Sequence, residues 1–114
     1  MEKNSIDSES QQIWHALGPW WDASVEDGDY FHRAFVFPAV EKLLCLRGGE
    51  VVLDAGCGNG ALSRRMAKND AEVFGIDFSS SLLHQAKERS QGKGIRYEEM
   101  SLTDSAALQL LASK

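Results

Sequence analysis

One stretch constrains this chain more than any other: an apolar run, a glycine-rich turn, a helical pattern and a second apolar run ending in an acid. Val51-Val52-Leu53-Asp54 is short, β-branched and bounded by glycines, which reads as a buried parallel strand. Gly56, Gly58 and Gly60 follow it, and Ala61, Leu62, Met66 and Ala67 then give one apolar helical face. Residues 71–77 form the second strand, closed by Asp77. A strand, a helix and a strand in this order need a right-handed crossover between parallel strands, so the chain is an α/β protein.

The pattern continues to the C-terminal side. Ser79 or Ser80 caps a helix running to about Arg89, with Leu82, Leu83 and Ala86 facing inward. Gly92 and Gly94 make a turn, residues 95–98 a third strand, and Asp104 caps a last helix carrying Ala107, Leu108 and Leu111. Before the first strand, Pro38 fits a first helical position, and Val40, Leu43 and Leu44 predict a helix over 38–46, stopped by Gly48-Gly49. Upstream, Gly18-Pro19 and the acidic stretch 26–29 punctuate an aromatic region, which reads as short helical pieces and turns. The expected organisation is a flexible tail over 1–12, a helical cap over 13–47 and an incomplete ligand-binding domain over 48–114. Its fold class is a Rossmann-like, doubly wound parallel sheet of which three strands are present, preceded by N-terminal helices.

Charge and composition exclude several functions. The 114 residues carry a net charge of −5 with no basic cluster, which argues against nucleic acid or an anionic membrane surface as partner. The apolar run over 34–40 is broken by Pro38 and is too short to cross a bilayer. Cys45 and Cys57 form neither a disulfide framework nor a metal-ligand spacing, so no metal and a reducing, cytoplasmic setting are expected.

The chemistry concentrates at the carboxyl ends of the strands. A glycine turn lets a ligand approach the backbone where no β-carbon intervenes. Asp77, 23 positions after Asp54, can accept both hydroxyls of a ribose. Gly56-x-Gly58-x-x-Ala61 also satisfies a loose dinucleotide fingerprint, which leaves a nicotinamide-dependent oxidoreductase open. Asp54, however, stands where a pyrophosphate would be repelled and an ammonium group held. Fifty residues precede Val51, more than dinucleotide domains usually place there. Against these readings stand plainer ones: Asp54 as a turn residue, Asp77 as a helix cap, Cys57 as a small side chain in a tight loop, Cys45 as packing. Trp20, Trp21 and Tyr30 either bury the N-terminal segment or cap a pocket, where an electron-rich ring also attracts a cation. His32 is either structural or a general base for a hydroxyl or amine.

Asp54-Ala55-Gly56-Cys57-Gly58-Asn59-Gly60 resembles the first motif of the class I S-adenosylmethionine-dependent methyltransferases. Val73-Phe74-Gly75-Ile76-Asp77-Phe78-Ser79 resembles their second, and the stretch from His32 to Leu44 is similar to the small-molecule branch. The resemblance implies S-adenosylmethionine as cofactor and a small-molecule methyl acceptor. It places the backbone of Gly56, Cys57 and Gly58 against the methionine part with Asp54 nearby, Asp77 on the ribose and Phe78 on the adenine, and counts Asn59 and Gly60 among the cofactor-binding residues. Where the family often has an adenine-contacting Asp after the third strand, this chain has Ser101. The family's sheet has more strands than the three read here, and its acceptor loops follow them. The resemblance therefore implies the cofactor-binding half of an enzyme, with Val51 to Asp54 as an open apolar edge for a second copy or a partner chain. A non-catalytic S-adenosylmethionine-binding module, or a subunit completed by a partner, is the alternative.

Overall fold

The computed structural model describes residues 5–113. Three parallel strands, β1 (Val51–Ala55), β2 (Glu72–Asp77) and β3 (Arg96–Glu99), lie in the order β1-β2-β3. The register pairs Leu53 with Phe74 and Gly75 with Tyr97, so the carboxyl ends of all three strands meet on one side. The connecting helices are α3 (Ala61–Ala67), α4 (Ser80–Arg89) and, after β3, α5 (Ser105–Ala112). Strand and helix positions follow the sequence closely because each is locally signalled. Ser79 caps α4 by accepting from the Leu82 amide, and Asp104 caps α5 by accepting from the Ala107 amide.

The N-terminal region departs from expectation. Residues 5–12 are not a loose tail, and Gly18-Pro19 does not break the chain: α1 (Ser5–Val25) is one helix of 21 residues with Pro19 inside it. Residues 1–4 of the expected tail lie outside the described residues. A proline within a helix removes one amide and orphans the carbonyl four residues earlier, here that of His15. The Ser81 hydroxyl donates to this carbonyl at 2.8 Å, so the lost bond is replaced from α4. Gly18 makes the approach feasible, since a β-carbon there would lie 2.1 Å from Ser81 Oγ.

A π-helical turn over His32–Val36 leads into α2 (Phe37–Leu44), which has Pro38 in its first turn as expected and ends at Leu44, two residues short of the expected 46, capped by Cys45 in the left-handed region. Val25, Phe37 and Ala61 form a small core with Trp21, Val36 and Leu62 packed around it. Val73, Ile76, Met66 and the inward face of α4 are buried as well. α1 therefore crosses the carboxyl end of the sheet, from β3 to the glycine loop.

Candidate functional site

The loop over 56–60 is fastened from below. The amides of Gly56 and Cys57 both donate to the Ile76 carbonyl, at 2.8 and 2.9 Å. The Gly58 amide donates to Asp77 Oδ2 at 2.9 Å, and the Ser79 amide donates to Asp77 Oδ1 at 2.9 Å. Asp77 thus sits beneath the loop, 9% exposed, with one lone pair of each oxygen still available. Asp54 is half-buried beside it and accepts from the Ser63 hydroxyl at 2.6 Å. Burial raises the pKa of Asp54, the Ser63 bond opposes that rise, and the Asp77 charge adds to it. Burial, reinforced by Asp54 and Asp77, pushes the Cys57 thiol far up, so it stays a protonated thiol and not a nucleophile.

Two cavities open at this end and share Trp21 as a wall. One, of about 250 Å³, is lined by Trp14, Trp21, Gly56, Gly58, Asp77, Phe78 and Leu82. The other, of about 220 Å³, has Trp21, His32, Phe37, Asp54, Gly56 and Cys57 among its walls. Gly56 and Gly58 border both. Gly56 adopts φ +73°, and a β-carbon there would meet no atom within 4 Å, so open space lies over its backbone. A carboxylate under the loop, a second at the strand end and an unfilled cradle between them fit a nucleoside that also carries a cationic group.

The aromatic cap is only partly as expected. Trp20 and Tyr30 are 63% and 76% exposed and line neither cavity. Neighbouring residues on a helix point about 100° apart, so Trp20 and Trp21 cannot both face the loop. Trp14, two turns before Trp21, does face it, and the two rings meet edge-on at 5.5 Å. That partner was legible in the i, i+7 spacing once the helix is taken as continuous.

Asn59 and Gly60 serve the loop's anchoring. The Asn59 amide group donates to Asp22 Oδ1 at 2.9 Å and to the Glu26 carbonyl at 2.8 Å, while its oxygen accepts from the Ala61 amide. At Gly60 a β-carbon would lie 2.3 Å from Tyr97 Oη, so only glycine closes the turn. Asp22, buried, also takes Arg89 Nε at 2.7 Å and Nη2 at 3.0 Å, and Arg64 bonds the Asn59 and Glu26 carbonyls and Asp27. This network ties the end of α1 to the loop. Ser101, two residues past β3, donates to the Asp7 carboxylate at 3.2 Å and bonds Thr103, which ties the start of α1 to the segment after β3. His32 Nδ1 bonds Asp29 Oδ1 at 2.7 Å. Asp7, Trp14, Asp22 and Asp29 carry no local motif, and sequence reasoning passed over them.

Comparison with known proteins agrees with this geometry. Residues 46–113 match the family model described as a methyltransferase domain. The chain is 41% identical over 96 residues to the ubiquinone biosynthesis O-methyltransferase of Albidiferax ferrireducens, covering 79% of this chain and 37% of that protein. It is 36% identical over 91 residues to the 2-phytyl-1,4-naphtoquinone methyltransferase of Nostoc punctiforme, covering 74% of this chain and 38% of the relative. It therefore spans less than half the length of these curated relatives. Among solved structures, the magnesium protoporphyrin IX methyltransferase of Synechocystis, with bound SAH, shares the fold at a TM-score of 0.69 and 23% identity, over 86% of this chain and 52% of that one.

Proposed function

The chain belongs to the class I S-adenosylmethionine-dependent methyltransferases, and on that premise we propose that it is the cofactor-binding part of an O-methyltransferase for a small molecule. The observation that carries this reading is the pair of cavities meeting over Gly56, with Asp77 and Phe78 on one side and Asp54 on the other. In this reading Asp77 holds the ribose hydroxyls and Phe78 lies against the adenine. The backbone of Gly56, Cys57 and Gly58 takes the methionine part, and Asp54 its ammonium. Bound there, S-adenosylmethionine supplies a methyl group already activated on a sulfonium. What remains for the protein is alignment, worth roughly 7–11 kcal/mol when well executed. Trp21, a wall of both cavities and beside Gly58, is placed to shield that centre from water.

The names of the relatives point to a hydroxylated quinone precursor as acceptor. Among the described residues no helix is long and apolar enough to cross a membrane, and a cytoplasmic setting suits the two free cysteines. The acidic balance disfavours nucleic acid. The open β1 edge, with Val51 67% exposed and Leu53 48% exposed, favours a second copy or a partner chain as its cover. The same edge supports a second reading, a non-catalytic S-adenosylmethionine-binding subunit that a partner completes.

Calorimetric titration tests the proposal directly. Binding of S-adenosylhomocysteine without NAD is the expected result, and binding of NAD alone overturns it. Asp77→Asn should weaken S-adenosylhomocysteine by about 1–3 kcal/mol, the loss of one charged hydrogen-bond acceptor. Unchanged affinity removes Asp77 from the site.

A further inference from the structure

Resting on the methyltransferase reading, we propose that His32 is the proton acceptor for a hydroxyl-bearing methyl acceptor and that Asp29 is its positioning residue. Asp29 Oδ1 accepts from the His32 amide at 2.9 Å and bonds the ring Nδ1 at 2.7 Å, so a single carboxylate oxygen both caps the backbone and holds the imidazole. An ionised carboxylate can only accept, so the Nδ1 position carries the proton. Nε2 is then the basic nitrogen, and it has no hydrogen-bond partner among the described residues. Trp21 and Phe31 stand edge-on to the imidazole at 6.3 and 6.1 Å and Phe37 is tilted against it at 5.7 Å, which fixes the ring plane. The ring walls the same cavity as Asp54, Gly56 and Cys57. His32 also opens the π-helical turn, a local irregularity that recurs at functional sites.

The arrangement matches one acceptor chemistry better than others. A neutral amine needs no base before it attacks, and a thiol ionises without much help. A phenolic hydroxyl, with an ordinary pKa near about 10, gains most from a positioned imidazole. In the step, the hydroxyl proton passes to Nε2 while an oxygen lone pair bonds the methyl carbon. The carbon–sulfur pair returns to sulfur, leaving a methyl ether, a neutral thioether and an imidazolium. Asp29 balances that imidazolium.

The other ionisable groups around the ring are Asp54 and Cys57 across the cavity, Arg33 on its own turn, and Arg65 of α3 stacked on Phe37 and paired with Glu41 of α2. The bonds from the His32 amide and the His32 ring hold the Asp29 carboxyl below its usual range.

Nitrogen-15 NMR of the whole chain tests the proposal, with His15 and His84 as internal references. At pH 8 the His32 ring should be the Nδ1–H tautomer, and Asp29→Asn should convert it towards the usual Nε2–H form with S-adenosylhomocysteine affinity changed less than about twofold. Sinefungin carries an ammonium group in place of the reactive methyl-sulfonium of the cofactor. His32 Nε2 should therefore shift differently with sinefungin than with S-adenosylhomocysteine, while His84 should not. A capping role alone would not produce that difference. Equal His32 shifts with both bound ligands overturn the proposal. Failure of both ligands to bind overturns the methyltransferase reading instead, and this proposal falls with it.

Discussion

The two flanks of the sheet are finished to very different degrees. At the carboxyl ends of the strands, α1 lies across the site and almost every polar group has a partner. Asp22 meets Arg89 and Asn59, Arg64 meets Asn59, Glu26, Asp27 and Ser90, and Asp77 meets two amides. At the β1 flank, Val51 and Leu53 are exposed and share an open groove of about 450 Å³ with Phe74 of β2 and Leu108, Leu111 and Ala112 of α5. Apolar side chains and unpaired strand amides are left to solvent there. The contrast is between a polar end of the sheet whose groups are partnered and an apolar edge left open to solvent.

Removing a centre of the finished region should cost most. Asp22→Ala removes both Arg89 bonds and one of the Asn59 bonds around a buried position, and urea denaturation should show a loss of about 2–3 kcal/mol. A loss under half a kcal/mol would show that the network does not hold α1 in place. The same carboxylate carries a pH signature. Burial pushes its pKa up, but the bonds from Arg89 and Asn59 and the Arg89 and Arg64 charges outweigh burial and leave it below the ordinary 3.8. A depressed carboxylate contributes stability that is complete above the unfolded pKa and is lost as pH falls through the folded one. Wild type should therefore lose stability more steeply than Asp22→Ala as pH drops below about 3.8. Parallel curves would contradict the assignment.

Ser81→Ala sharpens the contrast at the proline. It orphans the His15 carbonyl and should cost about 1 kcal/mol, with faster amide exchange around Pro19. If neither changes, water serves that carbonyl as well as the hydroxyl does. The smallest effect belongs to the open flank. Leu53→Lys should alter monomer stability by less than about 0.5 kcal/mol, as an exposed substitution does, yet it should abolish any pairing along β1. Light scattering on wild type and variant reads this directly: a wild-type monomer at high concentration excludes a second copy as the cover, and a stability loss near that of a core residue would show that Leu53 is already buried.

Legibility from the sequence divides along a similar line. From Pro38 onward, strand runs, glycine turns and caps lie within a few residues of what they shape, and the structure places those elements within two residues of expectation. Asp54, Gly56, Gly58, Asp77 and Phe78 come together at one end of the sheet because parallel β-α-β connectivity leaves them no other place. His32 joins them, although nothing local distinguishes it from a structural histidine. Trp20 turns away from the cavities because the phase of α1 points Trp21 and Trp14 inward instead, and Tyr30, beyond the end of α1, is exposed. The Asn59 side chain tethers the loop to Asp22 and the Glu26 carbonyl, partners that no local pattern signals.

The sequence by itself therefore determined the α/β fold, the glycine cradle and the two carboxylates beside it, since each rests on spacing within about a helical turn or on strand alternation. Only the tertiary structure decided that residues 5–25 form one helix and that the end of this helix is tied to the glycine loop. The physical reason is reach. A proline's missing bond is restored by Ser81 from another helix, and a loop asparagine finds Asp22 on the helix that crosses it. Such partners are far apart along the chain and adjacent only once it has folded.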